Sequence, residues 1–224
     1  DVDFTDSLKE QQKNWIGKSQ GASVAFELES GTDKIEVFTT RPDTIYGVTF
    51  MVLAPEHPLV DQITTTEFKD AIAAYKQKAS LKTERDRQAN VKDITGQNTG
   101  AFAIHPFTGE KVQIWIGEYV LASYGTGAVM AVPCGDQRDW DFAKHFDINI
   151  PNIFKDKDIS YEAFADKENF ELQNSSFIDG LSFDDATDSI ISRLEKDRIG
   201  IKEINYRLRD AVFSRQRYWY QCQR

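Results

Sequence analysis

Positive charge is scarce in this 224-residue chain. Lys and Arg together number 27 against 36 Asp and Glu, for a formal net charge of −9. A protein that holds nucleic acid chiefly by neutralising phosphates needs a basic surface, so the charge argues against that mode for the chain as a whole. Cysteine is almost absent. Cys134 and Cys222 are the only two, too few for a disulfide framework, and a reducing cytoplasm is the expected compartment. No apolar run approaches the length that crosses a bilayer, and the N-terminus lacks the basic, apolar and small-residue segments of a signal peptide, so a soluble protein with no membrane partner is expected. Only three histidines occur, His57, His105 and His145, without metal-ligand spacing among themselves or with the cysteines, and no metal is implied. Internal repeats and low-complexity tracts are missing too.

What remains is a composition that can bury a core, 40% hydrophobic and 12% aromatic, which fits one large domain or one domain with extensions. The chain starts at Asp1, and its only methionines are Met51 and Met130, as expected of a segment cut from something longer. Charge is uneven. The stretch 156–188 is strongly acidic, whereas basic residues outnumber acidic ones from Arg193 to Arg224, a pattern that suits either a solvated helix face or contact with phosphates.

Alternation at Val24, Phe26 and Leu28 and at Ile35, Val37 and Thr39, around the turn-forming residues 30–33, predicts a β-hairpin. Its second strand runs into Thr39-Thr40-Arg41-Pro42-Asp43-Thr44, where Pro42 stops the ladder and the polar side chains are expected in a displayed loop, with a further strand over 46–54. Thr64-x-x-Glu67 has the form of a capping box ahead of a helix over 65–79. Residues 83–92 read as loop. Short strands are expected from Phe102, then over 111–116, 119–122 and 128–132. Asp136 is suited to cap a helix that turns Trp140, Ala143 and Phe146 inward, and Ser182-x-x-Asp185 opens another that ends at Gly200. Many short strands with few helices give an α+β class with a small, closed or nearly closed β-barrel core and peripheral helices.

Four segments carry the chemistry: Asn14-Trp15-Ile16-Gly17-Lys18-Ser19; the threonine-rich Thr39 to Gly47; Gly125-Thr126-Gly127-Ala128-Val129-Met130-Ala131-Val132-Pro133 followed by Asp136-Gln137-Arg138-Asp139; and Ser214-Arg215-Gln216-Arg217-Tyr218-Trp219. In that order, and over nearly the whole chain, they resemble the editing (connective polypeptide 1) insertion of leucyl-tRNA synthetases of the bacterial type. The related isoleucyl and valyl insertions differ around the proline. The resemblance implies three parts: residues 1–20 as a linker strand coming in from the catalytic domain, 21–205 as the editing domain, and 206–224 as the segment returning to it. Neither the HIGH-like nor the KMSKS-like ATP signature of class I synthetases is found here, so the fragment is not expected to aminoacylate.

An editing site must anchor an α-ammonium, pocket a side chain and position a water against an ester carbonyl. By resemblance Asp139 anchors the ammonium through a charge-assisted hydrogen bond. At N3 of its helix the same carboxylate also answers the helix dipole. The resemblance further implies that Thr39 and Thr40 hold the terminal adenosine and the water, that Thr44 excludes leucine by its bulk, and that Arg41 faces the RNA or the ester, with Asp43 beside it in the same segment. It also implies Tyr124, Met130 and Val132 as the pocket lining, although the last two serve equally well as core, and Asp136 as a structural partner of the turn. The implied activity is aminoacyl-tRNA deacylation, the second sieve by which synthetases discard near-fits such as norvaline or isoleucine. The implied partners are the 3′ end of tRNA(Leu) and the parent catalytic domain, in a monomer. No cofactor is implied in this domain, ATP and Mg belonging to the parent synthetase.

Two positions depart from the family. Cys134-Gly135 stands where many members have Gly-His or Ala-His, and Tyr220 to Arg224 follow Arg217-Tyr218-Trp219 where glycine is usual. Cys134 lies at a helix start, where a thiolate is stabilised, but no histidine is near it in sequence to make it a nucleophile. A binding module that has lost hydrolysis and a free-standing deacylase are the rival readings. Gly125-x-Gly127 precedes a strand rather than a helix, so it marks a tight turn and not a dinucleotide fingerprint.

Overall fold

A computed structural model of the chain describes residues 3–31, 33–83, 86–87, 93–122 and 125–206. Tyr124 and the segment Ser214 to Trp219 lie outside the described residues. The chain divides into two compact units, Gly21–Glu203 and Asp1–Gln20 together with Ile204–Arg224.

The elements run α1 (Asp6–Ile16), β1 (Lys18–Leu28), β2 (Lys34–Thr39), a 3-10 turn (Pro42–Gly47), β3 (Phe50–Leu53), α2 (Leu59–Ile63), a 3-10 turn (Thr66–Phe68), α3 (Lys69–Ser80), β4 (Gln97–Ile104), β5 (Lys111–Ile116), β6 (Ala128–Ala131), α4 (Gln137–His145), a 3-10 turn (Ser176–Ile178), α5 (Phe183–Asp197) and β7 (Gly200–Tyr206). The expected linker strand over 1–20 is mostly helix. The Leu-Lys-Glu-Gln-Gln-Lys run of α1 consists of strong helix formers, and Gly17, left-handed at φ 57°, closes it by donating to the Lys13 carbonyl.

β1 and β2 form the expected hairpin, with Val24 opposite Val37 and Phe26 opposite Ile35. The strand order is β2-β1-β4-β5-β3-β6, with β7 also on β1. Every described pairing is antiparallel except β3 with β5.

The expected closed barrel is not formed. The path has two ends, β2 and β6, which pack side by side but share no hydrogen-bonded ladder among the described residues. β6 has only four residues, and β2 gives way after Thr39 to the Pro42 turn. Too little strand faces strand there to zip the edges together. The fold is therefore mixed α+β around an open seven-stranded sheet.

β3 explains the layering. All four of its residues are buried because both faces of the sheet are covered. Met51 and Leu53 enter the larger core with Phe26, Ile114 and Leu194. Phe50 and Val52 enter a smaller one under α4, where Phe50 stacks on Phe142 at 5.0 Å. Burying one such large side chain contributes about 1.5–3 kcal/mol.

Four local expectations are corrected. Thr64 does not cap α3. It ends α2 and donates its hydroxyl to the Val60 carbonyl, and a 3-10 turn intervenes before Lys69. Residues 119–122 form turns rather than a strand, because the chain must reverse between β5 and β6. Of the three residues expected on the inner face of α4, Ala143 is buried and Phe146 packs against the smaller core, joined by Asp139 and Phe142, but Trp140 is only half-buried with its indole N–H on the Ile159 carbonyl. Finally, α5 ends at Asp197 with left-handed Arg198 after it, and Gly200 opens β7, where a Cβ would lie 2.3 Å from the Ser23 carbonyl oxygen. No described helix is long and apolar enough to cross a membrane.

Candidate active site

The threonine-rich segment leaves β2 at Thr39 and tightens at once into the 3-10 turn Pro42–Gly47. Proline sits at the start of that turn, where its fixed φ suits the geometry and its missing N–H costs nothing. Inside the turn, the Thr39 hydroxyl oxygen accepts from the Arg41 N–H at 3.0 Å, and the Thr44 hydroxyl donates to the Arg41 carbonyl at 2.9 Å. Thr40 is exposed, Thr39 half-buried, and Asp43 and Thr44 buried. The expected displayed loop is thus largely folded inward, with α5 packed over it.

Two glycines permit the close approaches that hold it. A Cβ on Gly21 of β1 would lie 1.9 Å from the Thr39 carbonyl oxygen. One on Gly47 would lie 2.7 Å from Cys134 Sγ and 3.0 Å from Val132 Cγ1. Any larger residue at either position would push the turn off its support.

Arg41 and Asp43 are spent on each other. Nε and Nη2 of Arg41 donate to the Asp43 carboxylate at 2.9 and 2.8 Å, and Nη1 reaches the Ala165 carbonyl at 3.4 Å. The guanidinium lies 5.3 Å from the Phe183 ring centre and 5.9 Å from that of Phe170, with its side chain 15% exposed against 0% for Asp43. A bidentate pair this enclosed stiffens the segment between Thr39 and Thr44.

The second half of the site is the corner where β6 meets α4. Asp136 caps α4, accepting from the N–H groups of Arg138 and Asp139, as the sequence predicts. Asp139 points inward from N3. Its Oδ2 accepts the Val132 N–H at 2.9 Å, and its Oδ1 accepts the Tyr119 hydroxyl at 3.4 Å. Burial, and then the nearby charge of Asp136, raise the Asp139 carboxyl from its ordinary 3.8 to about 7, against the opposing pull of Val132, Tyr119 and Arg138. Burial likewise drives the Tyr119 phenol well above 10, so it stays protonated and donates. Tyr119 escaped the sequence reading because nothing in its spacing marks it; only the turn after β5 brings it to Asp139.

The two halves meet at residues 132–134. Gly47, which ends the threonine turn, packs on Val132 and Cys134; Val132 is also the residue whose N–H holds Asp139. The Cys134 thiol feels both Arg41 and Asp139, while burial pushes it up to about 12, so it is an inert packing group rather than a nucleophile. Met130 and Val132 both belong to the larger core, and Met130 sits opposite Met51. Two open surface depressions lie elsewhere, one along α5 at Phe177, Ser189 and Arg193, the other around Lys144 and Ile148. Among the described residues no cluster of three or more His, Cys, Asp or Glu could hold a metal ion.

The α+β scaffold that carries this buried carboxyl and threonine turn has known relatives. The family profile described as "Leucyl-tRNA synthetase, editing domain" matches residues 13–195. A leucine–tRNA ligase of Christiangramia forsetii is 60% identical over 97% of this chain and 23% of its own length. One of Flavobacterium johnsoniae is 57% identical over 98% of this chain and 24% of its own. Among solved structures, LeuRS of Agrobacterium radiobacter, in a ternary complex with tRNA and LeuAMS, superposes with a TM-score of 0.71 at 32% identity, covering 92% of this chain and 22% of that one. The chain belongs to the leucyl-tRNA synthetase editing-domain family. It spans about a quarter of the length of the curated relatives it matches.

Proposed function

We propose that this domain hydrolyses the ester of mischarged tRNA(Leu) after transfer, removing norvaline, isoleucine and similar near-fits while sparing leucine. The observation that carries this reading is the meeting of the Asp139 corner with the threonine turn through Val132 and Cys134. An aminoacyl ester presents a cationic ammonium, and that charge favours the ionised form of the Asp139 carboxyl, which burial raises to about 7. Anchoring the ammonium fixes the ester carbonyl relative to Thr39 and Thr40, which orient the terminal adenosine and a water. The water oxygen bonds to the carbonyl carbon, the bond to the ribose oxygen breaks, and the ribose takes up the proton, helped by its neighbouring hydroxyl. Thr44 walls the side-chain pocket, and bulk at that position denies room to leucine.

Arg41 and Asp43 take a supporting role, since their charges are paired internally. Met130 and Val132 serve as pocket wall and core together, and Tyr124 keeps the substrate-binding role that the family resemblance implies. ATP and Mg belong to the synthetic site of a parent synthetase, and the proposed hydrolysis calls on no cofactor. The partners are the tRNA 3′ end and the parent catalytic domain, the whole acting as a monomer in the cytoplasm. The test is a side-by-side deacylation assay with norvalyl-tRNA(Leu) and leucyl-tRNA(Leu). Release of norvaline with retention of leucine is expected; tRNA binding without release of either would make this a docking module instead.

A further inference from the structure

His105 directly follows β4, 60 residues from Ile45 of the threonine turn, and is almost completely buried. Its ring nitrogens have distinct partners. Nδ1 faces the backbone N–H groups of Phe107 and Thr108 at 3.2 and 3.1 Å. Both are obligate donors, so Nδ1 accepts, and the proton must sit on Nε2. Nε2 lies 2.9 Å from the carbonyl oxygen of Ile45, to which it therefore donates. That carbonyl already receives the Val48 N–H at 3.1 Å within the turn, so the imidazole fills its second lone pair. The ring is wedged between Phe26, edge-on at 6.1 Å, and Tyr46 at 5.9 Å.

Ile45 directly follows Thr44 in the Pro42–Gly47 turn. The Thr44 hydroxyl is spent inside that turn on the Arg41 carbonyl, so the position of its side chain depends on what holds the turn. We propose that His105 is a positioning residue for substrate discrimination: by holding the Ile45 carbonyl through Nε2–H, it fixes the turn and with it the Thr44 side chain that shuts leucine out. This inference rests on the editing function proposed above. Arg41 and Asp43 grip the front of the segment and Gly47 seats its end on Cys134, while His105 fastens the middle through the Ile45 carbonyl.

Two substitutions separate this role from mere structure. In His105→Asn the side-chain oxygen replaces Nδ1 as acceptor for Phe107 and Thr108, as in an Asx turn, but the side chain is too short to reach Ile45. In His105→Gln an amide donor reaches toward Ile45 and the Nδ1 acceptor is given up. Both are made in the full-length protein, and hydrolysis of leucyl-tRNA(Leu) is measured relative to norvalyl-tRNA(Leu). H105N is expected to raise the leucyl-to-norvalyl ratio at least about fivefold, the scale of one buried hydrogen bond, and H105Q to stay within about twofold of the wild type. A folded H105N with the wild-type ratio, or equal shifts in both variants, overturns the inference. Should H105N fail to fold, as judged by circular dichroism, H105Q decides alone, and a ratio beyond twofold refutes the proposal. A wild-type protein that hydrolyses neither ester removes the functional reading first and this inference with it.

Discussion

Replacing Asp139 with Asn should destroy ester hydrolysis and stabilise the fold at neutral pH. The carboxyl rises from 3.8 to about 7 because burial and Asp136 disfavour its charge. At about 1.4 kcal/mol per pH unit, that displacement corresponds to about 4 kcal/mol. The sign follows from proton linkage. Between these two values the folded chain holds a proton that the unfolded chain has released, so folding stability falls as pH rises from about 4 to about 7 and levels off above. Asparagine has no proton to lose there, yet it keeps an oxygen for the Val132 N–H and offers an amide donor to the Tyr119 oxygen, which can reverse its role. Relaxation around the site reduces the gain to about 2–4 kcal/mol. Urea unfolding of both proteins at half-unit steps from pH 4.5 to 8 measures it, because carboxylates common to both cancel in the difference. The difference should grow with pH and saturate above 7, while norvalyl-tRNA(Leu) hydrolysis is lost. A pH-independent difference, or a variant less stable at pH 8, refutes the account of burial; retained deacylation refutes the ammonium anchor.

Three further outcomes follow from the same geometry. Thr44→Ala should admit leucine, so that leucyl-tRNA(Leu) is hydrolysed at a rate approaching that of norvalyl-tRNA(Leu); continued protection of leucine in a deacylation assay would refute the steric role. Asp136→Asn keeps the cap of α4 but removes the charge that helps to hold Asp139 up, so the acid limb of the hydrolysis pH profile should move to lower pH, and a fixed limb would exclude that coupling. Gly47→Ala drives a methyl to 2.7 Å from Cys134 Sγ and should cost about 1–3 kcal/mol. Combining it with Cys134→Ala should recover part of that loss, whereas strict additivity of the two unfolding free energies would show that the contact is not shared.

Much of this was legible from the chain because it is local. Alternating apolar residues flank a turn at 30–33, and the hairpin pairs in the register that alternation demands, Val24 on Val37 and Phe26 on Ile35. Asp136 caps α4 because a short side-chain oxygen at that position can satisfy free N–H groups within the next turn, whatever the rest of the fold does. The Thr64 box failed for the complementary reason. Its hydroxyl found the Val60 carbonyl behind it, and spacing cannot choose between two nearby partners.

Residue order alone specified the hairpin, the cap of α4, the break at Pro42 and the family to which the four motifs belong, since each depends on a few consecutive side chains. Tertiary structure decided that Arg41 turns away from solvent onto Asp43, that Tyr119 and Val132 embrace Asp139, that His105 reaches across to Ile45, and that the sheet stays open between β2 and β6. Those outcomes depend on desolvation and on partners far apart in the chain, 60 residues for His105 and Ile45 and 124 for Arg41 and Ala165. A carboxylate's charge, like a histidine's tautomer, is fixed only when the chain has brought its neighbours to within hydrogen-bonding distance and excluded water.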